Sequence, residues 1–223
     1  MCSLFSLRRT PEELRNLFNY LEQPNFPPRE HVHPASPIAI VRGSHDHKPE
    51  FALVRWGFVP SWAKELKPGR PLINARSETA YEKASFKNAI RRRRCLIPAD
   101  GFYEWQDVGS PRKQAWFIHN PDHSLFAFGG IWEHWMAPDG SELETAAMLT
   151  SAPNALLANI HDRSPVVIQP QDFLRWLSVN EKVEDLLQAP VDDFWVMEKI
   201  ASPRSKMAEP ASAPPVKSQM DLF

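Results

Sequence analysis

The hydrophobic pattern of the chain predicts short helices and many short strands. Near the amino terminus, Thr10, Pro11 and Glu13 match the start of a helix, with Thr10 as N-cap and Glu13 reaching back to it. The apolar positions that follow share one helical face: Leu14, Leu17, Phe18 and Leu21. Helical patterns recur at about 81–94, 172–177 and 182–187.

Apolar runs of strand length, separated by Gly, Pro and Asp, fill most of the remaining chain up to residue 200. They occupy 38–41, 51–56, 95–98, 102–106, 115–119, 125–132, 146–150, 166–168 and 194–197. Because strands outnumber helices and follow one another along the chain, we predict an α+β fold. Its centre is a curved, barrel-like antiparallel β core flanked by short helices.

A change of composition divides the chain into a domain and a tail. The 223 residues, 43% of them hydrophobic, are enough for one substantial core. From position 201 the chain is rich in Pro, Ala, Ser and Lys and offers few residues for a core. We therefore predict one domain over 1–200 and a flexible tail over 201–223.

Charge is unevenly spread although the chain as a whole carries only −1. Residues 1–115 have a net charge of +7, and residues 116–223 have a net charge of −8. An unbroken arginine run at 91–94 lies in the basic half. This run fits either a phosphate-binding surface or a solvated helix end.

Cysteine usage and the lack of long apolar segments indicate the compartment. Cys2 and Cys95 are the only cysteines, which excludes a disulfide scaffold and fits a reducing environment. The first residues do not match a secretory signal, and no segment approaches about 18 consecutive apolar residues. We expect a cytoplasmic, monomeric protein with no membrane span.

The position of Cys2 directly after Met1 carries the most specific chemistry. Removal of Met1 would leave a residue with both a free α-amine and a thiol, a 1,2-aminothiol. The amine condenses with an aldehyde to an imine, and the thiol closes onto the imine carbon as a thiazolidine. Ordinary pKa values of about 7.7 to 8.0 for the amine and about 8.5 for the thiol place both groups within tuning range.

Three polar clusters accompany this cysteine, namely NARSE at 74–78, DGFYEW at 100–105 and HDRSP at 161–165. Asn74 is a candidate to orient an amine or imine, and Arg76 is a candidate to bind a phosphate. Glu104, between two aromatic residues, is a candidate general acid and base. His161 has a carboxylate and a guanidinium beside it. Together these groups suit imine formation and opening of a sugar ring.

These segments, together with WGFVPSW at 56–62 and CLIPADGFYEW at 95–105, resemble the SOS-response-associated peptidase (SRAP) family of abasic-site-processing proteins. The resemblance implies that the mature amino-terminal cysteine forms a thiazolidine crosslink with abasic sites in single-stranded DNA and shields the lesion. It further implies removal of Met1, a lyase activity at the imine stage and a location at the nucleoid or replication fork. No cofactor is implied.

The resemblance assigns roles residue by residue. Cys2 would be the nucleophile, Asn74 would hold the amino-terminal group, and Glu104 would move protons. His161 would assist opening of the deoxyribose. Among candidate DNA contacts, Trp62 would stack on bases, and Arg76 and Arg163 would bind the backbone.

Two departures from the family pattern bear on DNA binding. The family usually begins Met-Cys-Gly-Arg, whereas Ser3 and Leu4 follow Cys2 here, so a cation near the lesion is missing. We expect Arg76, Arg163 or the arginine run at 91–94 to compensate. The segment HVHP at 31–34 also departs from the family and receives no role.

The histidines do not predict a metal site. The pairs His31/His33 and His45/His47 have strand spacing, but no third and fourth ligand accompanies them.

The tail suggests a protein partner, because its last five residues, QMDLF at 219–223, resemble the peptide that bacterial repair proteins insert into the sliding clamp. Gln219 would make polar contacts, and Leu222 and Phe223 would fill an apolar pocket.

Two other functions remain open from the sequence. Glutamine amidohydrolases of one class also begin with Met-Cys and use the α-amine as a base. A non-catalytic DNA or clamp adaptor, with an inert Cys2, is the third reading. Changing Cys2 to Ser separates the three, since it abolishes a crosslink, abolishes glutaminase turnover, or changes nothing.

Overall fold

The computed structural model describes residues 2–46, 48–66, 69 and 71–203. The described strands are β1 (Phe5–Leu7), β2 (Arg29–Val32), β3 (Pro37–Gly43), β4 (Pro49–Trp56), β5 (Asn74–Arg76), β6 (Arg94–Ala99), β7 (Gly101–Gln106), β8 (Gln114–His119), β9 (Phe126–Met136), β10 (Glu142–Ser151), β11 (Ser164–Pro165), β12 (Val167–Ile168) and β13 (Val196–Ile200). The described helices are α1 (Pro11–Phe18), α2 (Ser77–Ala80), α3 (Lys87–Arg92), α4 (Ala155–Ala158) and α5 (Phe173–Leu177).

One sheet closes on itself. Strands β10, β4, β3, β6 and β9 pair in that order, and β9 pairs again with β10 to complete a five-stranded ring. Strands β5, β11 and β12 extend this barrel. The predicted α+β fold with a barrel-like core is therefore confirmed. Two pairings differ from the expected antiparallel pattern, since β10 runs parallel to both β4 and β5.

The second sheet packs beside the barrel in the order β13, β8, β7, β1 and β2. Edge-to-face aromatic contacts join the two sheets through Phe5, which meets Trp56 at 5.1 Å and Phe128 at 6.0 Å between ring centroids. Phe102 meets the same Phe128 at 5.9 Å. Strand β1 thus lies over the main core, and its position determines where Cys2, three residues before its first residue, enters the protein.

Helix α1 begins as its sequence predicts. The Thr10 hydroxyl accepts a hydrogen bond from the backbone N–H of Glu13, and the Glu13 carboxylate accepts one from the backbone N–H of Thr10. This reciprocal capping satisfies two amide groups that the first helical turn leaves free. Leu14 and Phe18 face the core, whereas Leu21 lies beyond the helix and is exposed.

The predicted helix over 81–94 is wrong in extent. The structure has two short helices, α2 and α3, separated by turns at 81–86, and Arg94 already belongs to strand β6. Because Arg94 is buried in the tertiary structure, packing overrides the helical pattern there. The helical pattern at 182–187 forms only a 3₁₀ turn, Glu184–Leu186.

Some short elements escape the hydrophobic pattern. Strands β1, β2 and β5 have three or four residues each, too few to show an alternation. The last strand, β13, begins at Val196, two residues later than expected. No helix in the described ranges is long and apolar enough to cross a membrane.

Candidate active site

Cys2 lies at the entry to strand β1 and is buried, with 1% of its surface exposed. Its thiol donates to the carbonyl of Leu4 at 3.5 Å. Burial raises the pKa of the Cys2 thiol well above its ordinary value, and the negative charge of Glu104 raises it further. The thiol is therefore neutral at pH 7.

A side-chain amide holds the backbone of Cys2. Asn74, the first residue of β5, donates from Nδ2 to the Cys2 carbonyl at 2.9 Å. Strand β5 is fixed in turn by parallel pairing with β10. The Asn74 carbonyl oxygen, Oδ1, is buried and has no hydrogen-bond partner among the described residues. It is an acceptor available to an amine or hydroxyl at this point.

Strand β7 supplies the carboxylate. The register that pairs Phe5 with Phe102 continues to the amino end of β1, where the backbone N–H of Tyr103 donates to the Leu4 carbonyl at 3.0 Å. Glu104 is the next residue of β7 and is 4% exposed. The predicted juxtaposition of Cys2, Asn74 and Glu104 is thus present, and it depends on the pairing of β1 with β7.

A buried aspartate fixes that pairing. Asp100 accepts a hydrogen bond of 2.5 Å from the Ser6 hydroxyl at Oδ1, and one of 2.8 Å from the backbone N–H of Arg8 at Oδ2. The Arg8 guanidinium adds an ion pair at 3.3 Å. Asp100 was part of a motif that the sequence identified, but its partners lie more than 90 positions away, so its anchoring role was missed.

His161 lies just after α4, on a segment fixed from two sides. The backbone N–H of Arg163 donates to His161 Nδ1 at 3.1 Å. Asp162 Oδ1 lies 2.7 Å from the same nitrogen, a contact that becomes an ion pair when the ring is protonated. Burial is the main cause that lowers the pKa of His161, so the imidazole is neutral at pH 7.

Arg163 joins the HDRSP segment to the NARSE segment. Its guanidinium makes hydrogen bonds of 2.7 Å to each carboxylate oxygen of Glu78 and one of 2.6 Å to the carbonyl of Thr150. The side chain is only 11% exposed. A direct contact between Arg163 and DNA stays a prediction and requires release of this ion pair. Glu78 itself had no role assigned from sequence.

The other two predicted DNA contacts are accessible. Arg76 ends β5 two residues after Asn74 and is exposed. Trp62 is 63% exposed, and its indole N–H lies 3.4 Å from the Ala84 carbonyl. Trp62 lines a groove of about 620 Å³ together with Phe58, Pro60, Leu66 and Leu72. Leu72, in the lining of this groove, is two residues before Asn74.

The arginine run at 91–94 is not a uniform basic surface. Arg94 is buried and donates to the carbonyls of Ile90, Trp176, Ser178 and Glu181. Arg93 pairs with Glu133 at 2.8 Å, and Arg91 donates to the carbonyls of Tyr81 and Lys87. Arg92 is exposed and, unlike the other three, makes no side-chain hydrogen bond or ion pair with the described residues. The expectation of a four-arginine phosphate surface is therefore wrong for Arg94.

Other predicted features lie elsewhere. Cys95 is buried in β6 and is a free thiol. Groups of three or more potential metal ligands do not occur in the described ranges. His47 and the predicted clamp-binding residues Gln219, Leu222 and Phe223 fall outside the residues that the structure describes.

Comparison with known proteins supports the family resemblance independently of the site geometry. The model of the SOS response associated peptidase (SRAP) family matches residues 1–202. Abasic site processing protein YoqW of Bacillus subtilis is 34% identical over 197 residues, which cover 87% of this chain and 88% of the relative. YoaM of the same bacterium, also named as an abasic site processing protein, is 33% identical over 221 residues, with coverage of 94% and 96%.

More distant relatives share part of the chain or the fold. The rat abasic site processing protein HMCES is 32% identical over 158 residues, which cover 57% of this chain and 45% of the rat protein. A solved structure from Bacteroides thetaiotaomicron superposes with a TM-score of 0.84 at 22% identity, covering 93% of this chain and 95% of that one. From the family match and the close bacterial relatives, the chain belongs to the SRAP family.

Proposed function

We propose that the protein, after removal of Met1, captures abasic sites in single-stranded DNA as a thiazolidine on Cys2. The observation that carries the proposal is the convergence of Asn74 and Glu104 on the amino-terminal residue. The names of the bacterial relatives place abasic-site processing in the family and support the same substrate here.

The chemistry follows from the groups at the site. The neutral Cys2 amine adds to the aldehyde carbon of the ring-opened deoxyribose, and loss of one water gives an imine. The thiol then adds across the C=N bond, so that sulfur bonds to carbon and the thiol proton ends on nitrogen. Because the Cys2 thiol is neutral, its proton must be moved, and Glu104 is placed to relay it.

Asn74 and His161 have separate tasks in this proposal. The free Oδ1 of Asn74 accepts a hydrogen bond from the amine and so orients its lone pair toward the aldehyde. The neutral imidazole of His161 takes the hydroxyl proton when the sugar ring opens, and it returns that proton during reversal. If the thiol does not close the ring, the imine acidifies the neighbouring carbon and permits strand cleavage, the lyase reaction.

Maturation and DNA binding complete the proposal. Hydrolysis of the Met1–Cys2 peptide bond, which consumes one water, exposes the amine. The strand is held by stacking on Trp62 and by the Arg76 guanidinium, which are accessible near β5. The protein acts as a monomer in the cytoplasm, at the nucleoid or replication fork.

The experiment uses mature protein and a single-stranded oligonucleotide with one abasic site. We expect a denaturation-resistant band from the wild type. Cys95→Ser should give the same band, because the buried Cys95 thiol that it removes has no adjacent free amine. Cys2→Ala retains an amine but no thiol, so it should give an adduct only after borohydride reduction. A stable band from Cys2→Ala, or none from the processed wild type, would refute the proposal.

The same samples test the two other functions. Glutamine hydrolysis that depends on Cys2, without DNA linkage, would establish the amidohydrolase. Damaged-DNA or clamp binding without linkage, unchanged in Cys2→Ser, would establish the adaptor. Mass spectrometry of the purified protein determines whether Met1 has been removed.

We propose in addition that the QMDLF segment at 219–223 binds the bacterial sliding clamp. The support is its sequence, in which the large apolar pair Leu222 and Phe223 follows a segment rich in Pro, Ala, Ser and Lys. Leu222→Ala with Phe223→Ala should abolish clamp pull-down and leave crosslinking intact. Clamp binding that survives this double change would refute the assignment.

A further inference from the structure

A row of side chains crosses the second sheet from Glu104 to its edge. Strand β8 pairs with β7 so that Trp116 lies opposite Glu104, and β13 pairs with β8 so that Lys199 lies opposite Trp116. Directly opposed residues of antiparallel strands point to the same face. Glu104, Trp116 and Lys199 therefore share the face that also carries the candidate active site.

This row is the boundary between the core and the surface. The neighbouring row on the same face consists of Phe102, Ile118 and Met197, and the first two of these are fully buried. Trp116 is half-buried and packs against the core, whereas Lys199 is exposed. The indole is consequently the aromatic side chain next to Glu104 in this row.

The indole ring is held in place at both its edge and its face. Its N–H donates to Gln106 Oε1 at 3.1 Å, and Gln106 Nε2 donates to the carbonyl of Asn159 at 2.8 Å. Lys199 Nζ lies 5.4 Å from the ring centroid. The contact with Asn159 ties this part of the sheet to the segment that leads into His161.

A second cation, Lys113, is close enough to His161 to act on it electrostatically. Lys113 immediately precedes β8 and is exposed. Burial is the largest cause that lowers the pKa of His161, and the positive charges of the chain's amino terminus and, to a smaller extent, of Lys113 lower it further. Glu198, the acidic neighbour of Lys199 in the chain, points to the opposite face and lies 3.5 Å from His119. It therefore does not neutralise the cations on the site face.

We propose that Trp116, Lys199 and Lys113 form the binding surface for the DNA strand on the β8 side of the abasic site, with a base stacked on Trp116 and phosphates on the two lysines. This inference rests on the proposed function. A held aromatic ring flanked by mobile cations is the arrangement that binds single-stranded nucleic acid without reading its sequence.

An abasic sugar lies within a continuous strand, so a protein that binds it can contact the DNA on both sides of the lesion. The DNA chain continues in both directions from the lesion. Of the exposed candidate contacts already named, Arg76 ends β5, and Trp62 lies in the groove lined by Leu72. The row on β7, β8 and β13 provides the corresponding aromatic and cationic groups on the other side of Glu104. On binding, Lys199 leaves the indole for a phosphate, and a base takes its place over the ring.

The test measures non-covalent binding in a Cys2→Ala background, which cannot form the thiazolidine. The probe is a fluorescent single-stranded oligonucleotide with one tetrahydrofuran abasic analogue, which has no aldehyde. Trp116→Leu should weaken binding about 5- to 150-fold, the range of lost base–aromatic stacking. Trp116→Phe keeps an aromatic face and should restore most of this affinity.

The lysine variants should change a different quantity, the salt dependence of DNA binding. Removing one phosphate contact should reduce the slope of log affinity against log salt by about 0.7 for a single strand, so Lys199→Gln and Lys113→Gln should each lower it. Trp116→Leu should leave the slope unchanged. The matched control is Lys48→Gln, because Lys48 lies at the β3–β4 turn, at the opposite end of β4 from Trp56, and is exposed.

The outcomes separate this inference from the proposed function. If the wild type crosslinks a true abasic oligonucleotide while Lys199→Gln and Lys113→Gln match Lys48→Gln in affinity and salt slope, the inference is wrong and the proposed function stands. If the row variants weaken binding but the processed wild type forms no crosslink, the proposed function fails alone. The exposed lysines keep the test valid even if Trp116→Leu does not fold.

Discussion

Arg163 and Glu78 form a two-pronged ion pair, with Nη1 to Oε1 and Nη2 to Oε2 both at 2.7 Å. The pair joins the helix that follows Arg76 to the loop that carries His161. Hydrogen bonding to the Arg163 guanidinium is the main cause that lowers the pKa of Glu78, so this carboxylate is ionised at neutral pH. The geometry makes Glu78 a positioning residue for the His161 loop.

Glu78→Gln should slow crosslinking by about tenfold at saturating DNA, the effect of losing roughly one charge-assisted hydrogen bond at the loop. Non-covalent affinity for single-stranded DNA should not fall, because the change also frees the Arg163 guanidinium. Single-turnover crosslinking kinetics measure both quantities. Glu82→Gln is the matched control, since Glu82 is exposed nearby. Loss of affinity with an unchanged saturating rate would contradict the positioning role.

Asp100→Asn should destabilise the protein and slow crosslinking together, because Asp100 fixes the β1–β7 register that brings Cys2 to Glu104. Removing the charge weakens the contacts with Ser6 and Arg8, and we expect a loss of about 1 to 3 kcal/mol in the free energy of unfolding. Urea denaturation measures the loss. Ser6→Ala should give a smaller effect in the same direction, and a fully active, equally stable Asp100→Asn protein would exclude the anchoring role.

The lowered pKa of His161 predicts a pH dependence of stability. Below about pH 6.5 the unfolded chain protonates this imidazole while the folded protein still resists protonation. The contribution of His161 is therefore complete above pH 6.5 and is lost as the pH falls toward the folded-state pKa, by less than about 1.4 kcal/mol per pH unit. His161→Gln should remove this part of the slope in urea titrations between pH 7 and about 5. An unchanged slope would count against burial of a neutral ring.

Arg94→Met should cost about 2 to 4 kcal/mol of stability, because it leaves the carbonyls of Trp176 and Ser178 without their donor. Arg92→Met, at an exposed position in the same run, should be nearly neutral for stability. Thermal denaturation compares the two variants. Equal and small effects would mean that the run is the solvated helix end that the sequence also allowed.

The sequence predicted the strands of the barrel because their apolar residues alternate or form runs of strand length. It also pointed to Cys2, Asn74 and Glu104 as candidate site residues, Cys2 from its position after Met1 and the other two from their motifs, and the structure brings the three together. The short strands β1 and β5, which place these residues, were not predicted because three residues are too few to show a period.

The contacts that could not be predicted from the sequence are mainly polar pairs between residues far apart in the chain. Asp100 with Ser6, and Glu78 with Arg163, are 94 and 85 positions apart, and no local pattern indicates such contacts. Trp116 and Lys199 become neighbours only through the pairing of β8 with β13. Conversely, the arginine run at 91–94 suggested one role for four residues, whereas tertiary packing places them in different environments.

The burial of the Cys2 sulfur also determines what cannot attack it. A neutral thiol that is almost inaccessible to solvent reacts slowly with peroxide, disulfides and alkylating agents, all of which require an exposed thiolate. Iodoacetamide should therefore label the native protein at Cys2 far more slowly than a free aminothiol. If Cys2 is the proposed end group, its burial protects it from ordinary cellular oxidants.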